Sequence, residues 1–60
     1  MHYYVGFANG AAAADKENNN NNNNTVYYHG GCPADHTNEY CTGFKTGWNA
    51  EVMLIWRNHQ

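Results

Sequence analysis

The sequence predicts an all-α protein: an antiparallel two-helix hairpin, with helices over about 3–17 and 36–58, a polar connection over 18–35, and one closing disulfide. Three observations predict it. Residues 36–58 carry apolar side chains at steps of three and four. Residues 3–17 are rich in alanine and aromatics at the same spacing. Cys32 and Cys41 are the chain's two cysteines. Sixty residues allow a single domain spanning 1–60. A chain that short hides only about 60% of the surface its unfolded form exposes, so a staple or a partner is expected to support the core.

In the first segment, Tyr3, Tyr4, Phe7, Gly10, Ala11 and Ala14 share a helical stripe, and Ala11 to Ala14 are strong helix formers. Gly6 and Gly10 interrupt this pattern at about 1 kcal/mol each relative to alanine, a cost that calls for a compensating contact. The middle segment opens with seven asparagines, Asn18 to Asn24, and reads as a solvated linker, because the asparagine amide competes with helix for backbone hydrogen bonds. Asn23-Asn24-Thr25 is a glycosylation sequon, making Asn23 a candidate acceptor outside the cytoplasm. Thr25 to Tyr28 reads as a brief extended stretch before Gly30-Gly31. The last segment places Tyr40, Cys41, Phe44, Gly47, Trp48, Val52, Ile55 and Trp56 on a helix, with Asp35 as its expected N-cap after Pro33.

A repeat accounts for the glycines. Gly6-Phe7-x-x-Gly10-x-x-Ala13 matches Gly43-Phe44-x-x-Gly47-x-x-Ala50. Two glycines four apart lie one above the other, so each helix offers a groove for another backbone. The expected contact joins Gly6, Gly10, Gly43 and Gly47, flanked by Phe7 and Phe44. In the antiparallel register Gly10 faces Gly43 and Gly6 faces Gly47. That register leaves the end of the second helix unmatched, and Met53, Leu54, Ile55 and Trp56, with Trp48 and Val52, become the expected oligomer interface. The alternative is that Tyr27 and Tyr28 fold back over the overhang.

The cysteines read first as a disulfide. Bridging Cys32 to Cys41 closes a short loop, an effect of about 2.5–3 kcal/mol. The alternative is a zinc-type module of His29, Cys32, His36 and Cys41, two imidazoles and two thiolates, although the spacing matches no common zinc pattern. With no serine in the chain and each cysteine offered a mate, no catalytic residue is assigned and no enzyme is expected. No cofactor or small-molecule substrate is indicated. The fixed cations Lys16, Lys45 and Arg57 are too few and scattered for a nucleic-acid surface, and the net charge is −2. The longest apolar run, Val52 to Trp56, is far too short to span a bilayer.

The stretch Cys32-Pro33-Ala34-Asp35-His36-Thr37-Asn38-Glu39-Tyr40-Cys41-Thr42-Gly43-Phe44-Lys45-Thr46-Gly47-Trp48 resembles a pattern in uncharacterised small secreted proteins of ammonia-oxidising archaea, C-P-x-x-H-x-x-x-[FY]-C-x-G-[FY]-x-x-G-[WY]. Those carry an upstream G-[FY]-x-x-G-x-x-A-x-x-D stretch that Gly6 through Ala13 fits, with Asp15 one position short. The asparagine run and the missing leader depart from that pattern. The resemblance implies export and a disulfide and carries no catalytic residue with it. The expectation is an extracellular or cell-surface structural module that self-associates into a homo-oligomer, even a filament; a cytoplasmic location is the alternative.

Overall fold

The computed structural model describes residues 2–20, 25–31 and 35–58, and contains two helices, α1 (His2–Asn20) and α2 (Asn38–Asn58), packed directly on each other. No strand occurs among the described residues. The all-α architecture therefore matches the expectation, while three details differ from it.

The first is the end of α1. Helix continues through Asn18, Asn19 and Asn20, which the composition assigns to the linker. Once Ala11 to Ala14 have nucleated helix, each further residue adds a backbone hydrogen bond. Asparagine's propensity penalty of about 0.7 kcal/mol is too small to stop it at once.

The second is the start of α2. Thr37, not Asp35, is the N-cap: its hydroxyl accepts the Tyr40 amide at 3.1 Å, and its carbonyl accepts the Cys41 amide at 3.0 Å. Asp35 instead sits at φ 78°, the left-handed conformation that aspartate tolerates better than most side chains. It turns the chain three residues before the helix begins, and α2 starts at Asn38 rather than 36.

The third is the direction of the helices, which are parallel and not antiparallel. A Cβ placed on Gly6 would overlap the carbonyl oxygen of Tyr40, and one on Gly10 that of Phe44; the matching carbonyl carbons are 2.8 Å away in both cases. Likewise Gly43 faces the Tyr3 carbonyl and Gly47 the Phe7 carbonyl. Contacts that climb α1 thus climb α2 as well, whereas in an antiparallel pair one number would fall as the other rose. The connection makes this geometry reachable. Residues 21–37 at about 3.3 Å each exceed the roughly 28 Å length of α1, so the chain can return to the starting end before α2 begins.

Part of that return path is described. The strap, residues 25–31, runs along one side of α2 in the opposite sense. The Trp56 indole donates to the Thr25 carbonyl at 3.1 Å and the Trp48 indole to that of Val26 at 2.8 Å. The Tyr28 amide donates to Asn49 Oδ1 at 2.9 Å. Strap backbone groups are thus satisfied by α2 side chains rather than by a sheet ladder. The core between these elements is thin: Ala14, Thr25 and Val52 are essentially inaccessible, with Tyr40 and Ile55 nearly so. The molecule is elongated, 35 × 17 × 15 Å.

Candidate functional site

The helix pair has an internal two-fold character. Adding 37 to Tyr3, Gly6, Phe7 and Gly10 gives Tyr40, Gly43, Phe44 and Gly47, and the contacts reciprocate: Gly6 lies on Tyr40 as Gly43 lies on Tyr3, and Gly10 on Phe44 as Gly47 on Phe7. This is the pattern of an isologous interface with its axis along the helices. Each glycine Cα–H points at a facing carbonyl oxygen, a weak hydrogen bond that recurs where helices touch. All four glycines are buried, and Phe7 and Phe44 flank them half-buried. Gly6 and Gly10 do not oppose Gly47 and Gly43; each glycine instead fits beneath the residue three positions before its counterpart. Across the same contact, Asn9 Nδ2 donates to the Tyr40 hydroxyl at 2.9 Å.

On its strap side, α2 carries a run of rings. His36 stacks on Tyr40 at 3.9 Å between centroids, and Tyr40, Phe44 and Trp48 follow at one-turn intervals. Tyr28 closes over Phe44 and Trp48 at 5.2 and 5.3 Å, and Tyr27 meets Trp56 edge-on at 5.1 Å. The fold-back of Tyr27 and Tyr28 is therefore present, and it changes the expected oligomer set. Val52 and Ile55 lie in the chain's own core, while Trp48 and Trp56 are engaged by the strap. Met53 and Leu54, 60% and 52% exposed, have no such cover and line a shallow apolar hollow with Ala50 and Arg57. On α1, Tyr4 and Val5 are exposed as well.

Of the cysteine and histidine cluster, Cys32 and the neighbouring Pro33 and Ala34 fall outside the described residues, as does Asn23. Cys41 lies on α2, half-buried, and no described cysteine is a free thiol. His29 is exposed on the strap and His36 is engaged with the Tyr40 ring. Among the described residues no three of His, Cys, Asp and Glu converge on a metal position. Tyr28, Gly30, Gly31, Cys41, Thr42, Phe44 and Lys45 line a second open hollow beside Cys41.

One pair was not singled out by the sequence: Asp15 on α1 and Glu51 on α2 approach each other across the helix contact, close enough for a hydrogen bond between a protonated and an ionised carboxyl. Partial burial of the Glu51 carboxyl, and then the neighbouring Asp15 charge and that hydrogen bond, push its pKa above the ordinary glutamate range. Their separation of 36 residues, close to the repeat offset, was the available signal. No helix of the described residues is long and apolar enough to cross a membrane. Comparison with family models, with curated proteins and with solved structures finds no match to this chain.

Proposed function

We propose that this protein is an exported structural or interaction module, a disulfide-stapled helix pair that self-associates through the outer face of α2, in the extreme as a filament. The observation that carries the reading is the adjacent exposure of Met53 and Leu54, next to a Trp56 that stays partly exposed although the strap engages it, while Val52 and Ile55 are buried. Two neighbouring large aliphatic groups cost solubility without serving the fold, and contiguous apolar surface of this kind ordinarily marks an interaction site. The thin core favours assembly too, since a second copy supplies the burial that a chain of this length lacks. Contact with a different patch on the next copy would leave the assembly open and produce fibres.

A Cys32–Cys41 bridge fits the half-buried place of Cys41 beside Gly31 and supports export, in line with the resemblance to secreted archaeal proteins. Intact mass before and after reduction tests it: a gain of two hydrogens is expected, whereas two titratable thiols in the unreduced, denatured protein would favour the His29, Cys32, His36 and Cys41 metal set. Light scattering after size exclusion tests assembly. The oxidised wild type is expected to exceed its 6.8 kDa monomer mass at high concentration. The doubly substituted Met53→Lys, Leu54→Lys chain is expected to run as a monomer with its helical circular dichroism intact. A wild type that remains monomeric throughout overturns the reading.

A further inference from the structure

We propose that the side of α2 away from the strap is a two-fold contact for a second copy of this chain, the two α2 helices antiparallel and Glu39 of each copy paired with Arg57 of the other. The inference rests on the self-association proposed above and supplies its surface and symmetry. Glu39, Thr42, Thr46, Ala50, Met53 and Arg57 follow one another at steps of three and four, so they form a single stripe along α2. Ala50 is half-buried and the others are exposed. Eighteen residues, five full turns, separate Glu39 from Arg57, which places acid and base on one line about 27 Å apart. Each also stands nine residues, or two and a half turns, from Trp48, whose flank the strap occupies. The stripe therefore faces away from the strap.

A line with an acid at one end and a base at the other complements itself when turned end over end. With residue 48 at the midpoint, the Glu39–Arg57 pairing occurs twice by symmetry, and Thr46 comes level with Ala50. These central side chains are small enough for close approach. The Thr46 hydroxyl already donates to the Thr42 carbonyl at 2.8 Å, so covering it leaves no donor unpaired.

Toward the ends, Met53 and Leu54 of one copy come level with Gly43 and Thr42 of the other. Gly43 lies on the Tyr3 carbonyl, so the neighbouring Tyr4, 74% exposed, stands at that height on α1. Tyr4 is also on the correct side. Its counterpart under the internal two-fold is Cys41, which borders the strap hollow, and the rotation carries Tyr4 to the opposite face. The exposed aliphatic pair of each copy thus meets an exposed ring of the other. The helix dipole alone does not account for Glu39 and Arg57, because α1 has no acid in its first turn and no base in its last. A two-fold contact closes on itself, so assembly stops at two copies instead of running on as a fibre.

The dimer Kd of the oxidised full chain, from sedimentation equilibrium, tests the contact. Arg57→Glu and Glu39→Arg are each expected to weaken it about 10-fold, since both symmetric pairs turn from attraction to repulsion. Lys45→Glu makes the same charge change beside the strap hollow and is expected to leave Kd within ~2-fold of wild type. The double swap Glu39→Arg, Arg57→Glu restores both pairs and is expected to return Kd to within ~3-fold of wild type. Because the swap opposes the helix dipole, an equimolar mixture of the two single variants gives a second measurement: each repels its own copy, and the mixture is expected to form the heterodimer. A dimeric wild type with a Kd indifferent to Arg57→Glu, single variants that stay monomeric when mixed, or a helical double swap without recovery overturns the two-fold contact and leaves self-association standing. Growth of the wild type past two copies does the same. A wild type monomeric at every concentration removes both.

Discussion

The two sides of α2 are held by different physics. Toward α1 the contact is backbone on backbone: four glycines admit four carbonyls, and there is no room for a single additional carbon. Toward the strap the contact is made by large rings and their polar tips, with Tyr28, Trp48 and Trp56 each touching chain more than twenty residues away. The first surface tolerates no growth in size. The second can lose a group and settle. Substitutions of similar chemistry should therefore give unlike results on the two sides.

The largest effect is expected at the glycines. Gly10→Ala gains about 1 kcal/mol of helix propensity in isolation, yet its Cβ meets the Phe44 carbonyl, and backbone cannot rotate away as a side chain can. A net loss of about 2 kcal/mol is expected in urea unfolding, with Gly47→Ala equal to it because the two positions are related by the repeat. A stabilised Gly10→Ala would show that the helices can slide, and would remove the distinction between the two sides. Gly31→Ala is the control, since nothing lies within contact distance of a Cβ there.

Breaking the proposed disulfide comes next. Cys41→Ala removes the closure of a short loop near the start of α2, at about 2.5 kcal/mol by loop entropy. The loss should appear as a lower urea midpoint in the oxidised protein and should vanish when wild type and variant are compared under reduction.

On the strap side, Trp48→Phe keeps a ring against Tyr28 but gives up the indole bond to the Val26 carbonyl, at about 1 kcal/mol. Hydrogen exchange should speed up in residues 26–31 while the α1–α2 contact stays protected. Uniform loss of protection over both helices would mean that strap and helix pair unfold together.

The contrast also separates what could be read in the sequence from what could not. The glycine contact was legible because helix periodicity places residues four apart on one stripe, and a glycine there has no local justification. Its direction was not legible. A repeated G-F-x-x-G motif is self-complementary in parallel as well as antiparallel arrangements, and the choice between them lies in where the connection travels. That path depends on pairings such as Thr25 with Trp56 and Val26 with Trp48, none of which leaves a periodic trace. The direction in turn decided what remained uncovered: Val52 and Ile55 went into the core, and the uncovered apolar end of α2 shrank to Met53, Leu54 and the open part of Trp56. Asp15 and Glu51 were hidden for the same reason, since an antiparallel register keeps them apart.

The smallest expected effect concerns the entrance to α2, where sequence and structure name different caps. Asp35 and Thr37 are both good capping residues, and preference alone favours aspartate, yet only the Thr37 hydroxyl reaches a helix amide, that of Tyr40. Thr37→Ala should therefore cost about 1 kcal/mol, whereas Asp35→Gly should stay within ~0.5 kcal/mol of wild type. The relief of a left-handed residue is offset in that variant by the greater freedom of the unfolded chain. Urea unfolding of the two variants side by side checks this. The reverse order would return the cap to Asp35, move the start of α2 back toward 36, and shift the ring of His36 off Tyr40.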